Sequence, residues 1–157
     1  MVNSIYLQVI TNILNEFLEP FDCTAEIGSD FCYNLSSNTI NFTFLIIDKH
    51  EKTFNSFVKN LFPDIHADIF LWSFLHELGH HETEDDFEQE EWDEYMEITK
   101  KDIDDFTYYN LPIEKAATEW AGNFMIEHEN EVKILWNRLR PRIYAFYEEM
   151  EVNINEA

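Results

Sequence analysis

The sequence predicts a single α+β domain over residues 1–157, mainly helical, with a small antiparallel sheet and one chemically distinctive helix buried in its middle. Three observations lead there. The chain has 157 residues, 45% of them hydrophobic, with 14 Phe, 7 Tyr and 4 Trp, which is enough apolar material for one packed core. Apolar residues recur at three- and four-residue spacing in several long segments, as they do on the buried stripe of a helix. Between Cys23 and Ile47 this gives way to short runs rich in β-formers and separated by turn residues.

Taken in order, Ile5, Val9, Ile13 and Phe17, with Tyr6, Ile10, Leu14 and Leu18, form the apolar face of a first helix that Pro20 ends. Asn3, Ser4, Gln8, Asn12 and Asn15 interrupt any continuous apolar region, so a signal peptide is not expected. The polar face lacks Lys and Arg with which to hold a membrane surface, and no apolar run approaches the length of a membrane span. A cytoplasmic protein is expected. Cys23 and Cys32 flank Gly28-Ser29-Asp30 and read as facing strands of a hairpin. In a cytosolic chain they are expected as reduced thiols, and without C-x-x-C spacing they do not suggest a metal site.

Thr39 to Ile47 alternates and then becomes wholly apolar, as a strand entering the core does. Phe54, Phe57, Val58, Leu61 and Phe62 mark a second helix stopped at Pro63, after which Asp64 is placed to cap the next. That next helix is apolar almost all round from Ile69 to Leu75, and such a helix is a buried one. Near the C-terminus, Val132, Ile134, Leu135, Trp136 and Leu139 read as helix up to Pro141, with Ile143 to Tyr147 as its continuation or a further helix. Arg138, Arg140 and Arg142 are the one basic cluster, read as a solvated face paired with acids.

The buried helix ends in His76-Glu77-Leu78-Gly79-His80. Residues four apart stack on one face, so both imidazoles can grip a single metal ion. Glu77 is rotated by about 100° from His76. It can reach a water beside the ion without being a ligand, and so act as general base. Zinc suits two imidazoles plus one further nitrogen or oxygen ligand, with a fourth position left open. A chain of this composition contains H-E-x-x-H by chance with a probability of roughly 3%, and the apolar run before it makes an accident less probable still. The plainer alternative is a core helix whose polar end leaves the core, with His81 and Glu82 running on into solvent. Gly79 costs about 1 kcal/mol relative to Ala inside a helix, which suggests that another backbone approaches there.

The third ligand must come from elsewhere. Leu111 to Met125 predicts a helix opened by Pro112, with Ile113, Ala116, Ala117, Trp120, Ala121, Phe124 and Met125 on its core-facing stripe. Glu114 lies at the edge of that stripe and Glu119 on the opposite side. The metal ligands are therefore expected to be His76, His80 and Glu114, with Glu77 catalytic.

This pairing resembles the ImmA/IrrE family of small zinc metallopeptidases of phages, mobile elements and bacteria. Those proteins carry H-E-L-G-H on one helix and E-x-x-A-N-x-F-A-x-x-L-M on a second; the corresponding residues here are Glu114, Ala117, Thr118, Trp120, Ala121, Phe124 and Met125. Thr118 stands where the family usually has Asn or Asp. The resemblance covers roughly residues 38–126 and implies zinc, peptide-bond hydrolysis, a sheet edge that holds an extended substrate, and a protein substrate such as a DNA-binding repressor or other regulator. The residue stabilising the oxyanion is left open among Tyr108, Tyr109 and His128.

Charge bounds the partners. Ten basic against 32 acidic residues give a formal −22, and Glu82 to Asp105 alone holds 13 acids and two lysines. Such a surface repels nucleic acid and attracts basic proteins. Phe87, Trp92, Tyr95, Met96 and Phe106 interleave the acids, so residues 82–105 are expected to form a helical insert with one buried face. The rival to a peptidase acting on a protein or peptide, basic or otherwise, is a non-enzymatic acidic inhibitor that mimics a phosphate backbone. In a mixed version the zinc is purely structural.

Overall fold

The computed structural model describes residues 4–44 and 48–156, with side chains placed for 4–44 and 49–151. Seven α-helices and three short strands occur among them, in the order α1 (Ile5–Leu18), β1 (Thr24–Ile27), β2 (Cys32–Asn34), β3 (Thr39–Phe42), α2 (Asp48–Leu61), α3 (Ile69–Thr83), α4 (Gln89–Thr99), α5 (Asp105–Asn110), α6 (Pro112–Glu127) and α7 (Glu129–Glu156). The α+β class is as the periodicities predict. No helix among the described residues is long and apolar enough to cross a membrane.

Ser4 caps α1, its hydroxyl accepting from the Tyr6 N–H, and Ile10, Ile13, Leu14 and Leu18 are buried, while Ile5 stays outside. Pro20 sits in a 3-10 turn that ends the helix. The side-chain amide of Asn15 then bonds both the N–H and the C=O of Ala25, so α1 satisfies the outer edge of β1.

The sheet departs from the expectation of an antiparallel one. Its order is β1-β3-β2, with β1 parallel and β2 antiparallel to the central β3. The hairpin joins β2 to β3 through residues 35–38, where Asn38 takes a left-handed φ of 51°, and not β1 to β2 through Gly28. Turn residues lie in both connections, so local chemistry alone does not choose the pairing. Burial chooses it: Thr39, Ile40 and Phe42 are all buried, which suits β3 for the centre. Cys23 and Cys32 consequently do not face each other; Cys23 is buried, Cys32 lies opposite Asn41, and both are free thiols. Strand β3 stops at Phe42, short of the predicted Ile47; residues 45–47 lie outside the described residues.

Helix α3 is the axis of the core, with Phe70, Leu71, Trp72, Phe74, Leu75 and Leu78 all buried. Its cap is Asp68, which accepts from the Phe70 N–H at 2.8 Å, and not Asp64, which lies in the turn after α2. Both acids precede the apolar run, but the backbone turns at Pro63-Asp64 and does not become helical until Ile69, so only Asp68 adjoins the free helical N–H groups.

Helix α6 packs directly on α3. A Cβ at Gly79 would lie 2.3 Å from the Ala117 carbonyl oxygen, so the contact is backbone against backbone and only glycine permits it. Helix α7 runs unbroken through Pro141, its Val132, Leu135, Leu139, Ile143 and Phe146 buried on both sides of the proline. Packing of the two flanks outweighs the missing hydrogen bond. The expectation for the basic cluster is met in part: Arg138 and Arg140 are exposed and Arg142 half-buried, and Arg138 pairs with Glu16 at 2.8 Å, while Arg140 lies over the Tyr144 ring and Arg142 donates to the Arg138 carbonyl.

The acidic insert is folded and helical, with a capping box of Glu88 and Glu91 opening α4. Its apolar face is covered less than expected. Phe87, Trp92 and Tyr95 are half-buried, whereas Met96 and Phe106 point outward.

Candidate metal centre

The i, i+4 spacing on α3 sets the rings of His76 and His80 edge to face with centroids 4.7 Å apart. Close packing at Gly79 then brings the first turn of α6 against them. Glu114, 1% exposed, lies with its Oε1 3.0 Å from Nε2 of His76 and 3.1 Å from Nε2 of His80. Glu119 faces solvent. One ligand atom from each of His76, His80 and Glu114 falls within a 4.8 Å group, so these three can hold a metal ion. Tetrahedral zinc with ligands near 2.0–2.1 Å would place them about 3.3 Å apart. The two Glu114–histidine spacings fit that with shifts of a few tenths of an ångström.

Further contacts orient the ligands. The Thr118 hydroxyl, fully buried, donates to the Glu114 carbonyl at 3.3 Å and lies 2.9 Å from Nδ1 of His76. With its own proton so used, it accepts from Nδ1–H, which would turn Nε2 towards an ion bound in place of the Nε2–H contact with Glu114. From α4, the Tyr95 phenol donates to Oε2 of Glu114 at 2.5 Å. Tyr108, on α5, lies with its hydroxyl 3.4 Å from that of Tyr95.

Electrostatics follow from burial. Desolvation pushes the Glu114 carboxyl up, but the charges and hydrogen bonds of His80 and His76 outweigh it and hold the group below the usual glutamate range. For His80, burial favours the neutral ring, and the Glu114 charge overcomes this to raise its pKa. Glu77, 8% exposed, is raised chiefly by desolvation, against the lowering influence of both histidines and of the Tyr33 N–H. Its carboxyl is thus a stronger base than a solvated one. Burial likewise raises the phenols of Tyr95 and Tyr108, and Tyr109 is pushed up to about 12.

A cavity of about 140 Å³ opens beside the ligands, lined by His76, Glu77, Glu114, Tyr108, Tyr109 and the rings of Phe31 and Phe54. A larger groove of about 580 Å³, between residues 61–68 and helices α6 and α7, shares no residue with it and has no cluster of metal ligands.

Each residue singled out in the sequence can now be placed. His76, His80 and Glu114 come together, Glu77 lines the adjoining cavity, and Tyr108 and Tyr109 lie on its wall. His128 is elsewhere, stacked on Phe124 with centroids 4.5 Å apart and paired with Glu131. His81 does not run on into solvent: Nδ1 lies 2.7 Å from the Tyr33 hydroxyl and Nε2 donates to the Phe21 carbonyl at 2.8 Å, fastening the end of α3 to the sheet. Two side chains that orient the ligands, Thr118 and Tyr95, were not among the expected site residues, Thr118 being noted only as a departure from the ImmA/IrrE pattern. Thr118 had a usable signal, since it lies one helical turn beyond Glu114 on the same face. Tyr95 had none, because nothing local says which residue of the insert meets α6.

No protein-family model matches the chain, and comparison with curated proteins and with solved structures finds no match.

Proposed function

We propose that this chain is a zinc-dependent peptidase that cleaves a peptide bond in a protein partner. The observation that carries this reading is the convergence of two imidazoles and one carboxylate from separate helices beside a cavity that Glu77 also lines. A core helix with a merely polar end has no reason to collect three metal-ligating groups with 1–12% exposure. His76, His80 and Glu114 would hold the ion, and zinc, when bound, would make a neighbouring water acidic and polarise the substrate carbonyl.

The chain's own groups supply the remaining steps. Glu77 takes a proton from water as the water oxygen bonds to the carbonyl carbon. It then gives a proton to the amide nitrogen; the C–N bond breaks, and a carboxylate and an amine leave. Strand β2 is an edge of the sheet, along which an extended peptide could be added. The resemblance to ImmA/IrrE peptidases supports the same reading and implies a repressor or other regulator as substrate.

The second reading, an acidic inhibitor of a nucleic-acid-binding protein, draws on the exposure of Asp85, Asp86, Glu88, Glu90, Glu91, Asp93, Glu94 and Glu97. It needs no metal. Elemental analysis of protein purified without chelator or affinity tag separates the two. The peptidase reading expects close to one zinc per chain, removed by His76→Ala; absence of any transition metal, with no uptake on zinc titration, rules it out.

A further inference from the structure

We infer that Tyr108 is the catalytic residue that donates to the substrate oxyanion, and that Tyr95 is a positioning residue that aims it; this rests on the peptidase reading above. The hydrogen-bond directions carry the argument. A buried carboxylate can only accept, so at 2.5 Å the single phenolic proton of Tyr95 is committed to Oε2 of Glu114. The Tyr95 oxygen is then the acceptor for Tyr108, whose proton is the donor across 3.4 Å. A contact that long is weak, so Tyr108 gives up little by turning its O–H elsewhere.

Elsewhere is the cavity. Tyr108 lines it together with Glu77, His76 and Glu114, and no Lys or Arg is among the residues that line it. As the water oxygen bonds to the carbonyl carbon, the former carbonyl oxygen becomes anionic and needs an oriented donor. Tyr108 supplies a hydrogen bond and keeps its proton throughout. Tyr109 shares the wall, but its ring packs against Phe54 and Phe57, with centroids 5.0 and 5.8 Å away. Only Tyr108 is coupled through a second phenol to the ligand set. The acidic insert thereby acquires a role in the chemistry, since α4 carries Tyr95 to Glu114 and Tyr95 fixes the resting place of Tyr108.

The test uses the zinc-loaded full chain and two probes whose binding needs no known substrate. A dipeptidyl phosphonate presents a tetrahedral anion like the intermediate, and acetohydroxamate is a planar zinc chelator. By calorimetry, Tyr108→Phe should weaken the phosphonate at least tenfold while leaving zinc content and acetohydroxamate affinity unchanged. A merely structural role would not separate the two probes. Tyr95→Phe should lower phosphonate affinity less, and should also weaken zinc, because Glu114 loses its partner. Equal phosphonate affinity in native protein and Tyr108→Phe overturns the inference. So does a loss that appears in Tyr109→Phe instead, or a native zinc-loaded protein that does not bind the phosphonate. Failure of every form to bind zinc is a different result: it removes the peptidase reading, and the inference with it.

Discussion

The hydroxyl of Thr118 lies 2.9 Å from Nδ1 of His76 while it donates to the backbone carbonyl of Glu114, so one side chain links two ligands of the candidate centre. Because both groups are buried, losing the hydroxyl leaves Nδ1–H without a partner and the ring free to rotate. Thr118→Val should lower zinc affinity about ten- to a hundredfold with little change in fold, and Thr118→Ser should restore most of it. Competition titration with a chromogenic chelator measures both; unchanged affinity in the valine variant would show that His76 is oriented by other means.

Glu114 and Glu119 sit on opposite sides of α6, the first buried and the second exposed. Glu114→Gln should therefore weaken zinc binding strongly, and Glu119→Gln should leave it nearly unchanged. Similar affinities for the two variants would move the third ligand to another acid.

Gly79 lets α3 and α6 touch. In Gly79→Ala the new methyl would meet the Ala117 carbonyl oxygen at 2.3 Å, so α6 must move away and carry Glu114 and Thr118 with it. Overpacking of this kind costs about 1–3 kcal/mol, against a helix-propensity gain of about 1 kcal/mol. Denaturant unfolding should show a net loss of stability together with weaker metal binding. A gain in stability would mean that the two helices are not in backbone contact.

The pH dependence of the metal-free protein follows from three shifted groups. Glu114 is held below its ordinary 4.5, so its stabilisation is present above that value and lost as pH falls through the lowered one. His80 is raised above 6.5, so its stabilisation is complete below 6.5 and lost as pH rises through the raised value. Glu77, raised from 4.5, also favours its protonated form, and its ionisation costs stability as pH rises. Metal-free protein should thus melt highest in mildly acidic solution and lose stability towards alkaline pH. Zinc, held by His80 and Glu114, would stand in for the proton of their contact, so the loaded protein should not show that alkaline decline. Melting curves from pH 4 to 9 with and without zinc test this; parallel curves would contradict it.

Much of the candidate site was legible because its signal is local. The spacing of His76 and His80 is fixed by helical geometry, and the apolar run before them marks the helix as buried. Glu114 lies only at the edge of its helix's apolar stripe, and it was the upstream H-E-x-x-H, short of a third ligand, that singled it out. Where the outcome depended on partners distant in sequence, local pattern was insufficient. The turn at Gly28 resembles a hairpin turn as well as residues 35–38 do, and only the burial of β3 on both faces selects the mixed sheet. Asp64 and Asp68 are equally good caps until the path of the chain is known. Met96 and Phe106 fit an inward face of the insert, yet the insert meets the core through Tyr95 at Glu114, and these two are left outside.

The central claim is hydrolysis with Glu77 as base, and it is tested most directly by counting new protein N-termini. Native zinc-loaded protein and zinc-loaded Glu77→Gln are incubated separately with the proteome of the cells that carry this chain, and N-termini are compared by mass spectrometry. Glu77 lines the cavity without belonging to the three-ligand group, so the variant should retain zinc and fold while losing the base. The account predicts a small set of new N-termini in the native sample that is missing with Glu77→Gln. The same N-termini in both samples, or none in either despite full zinc occupancy, would contradict it.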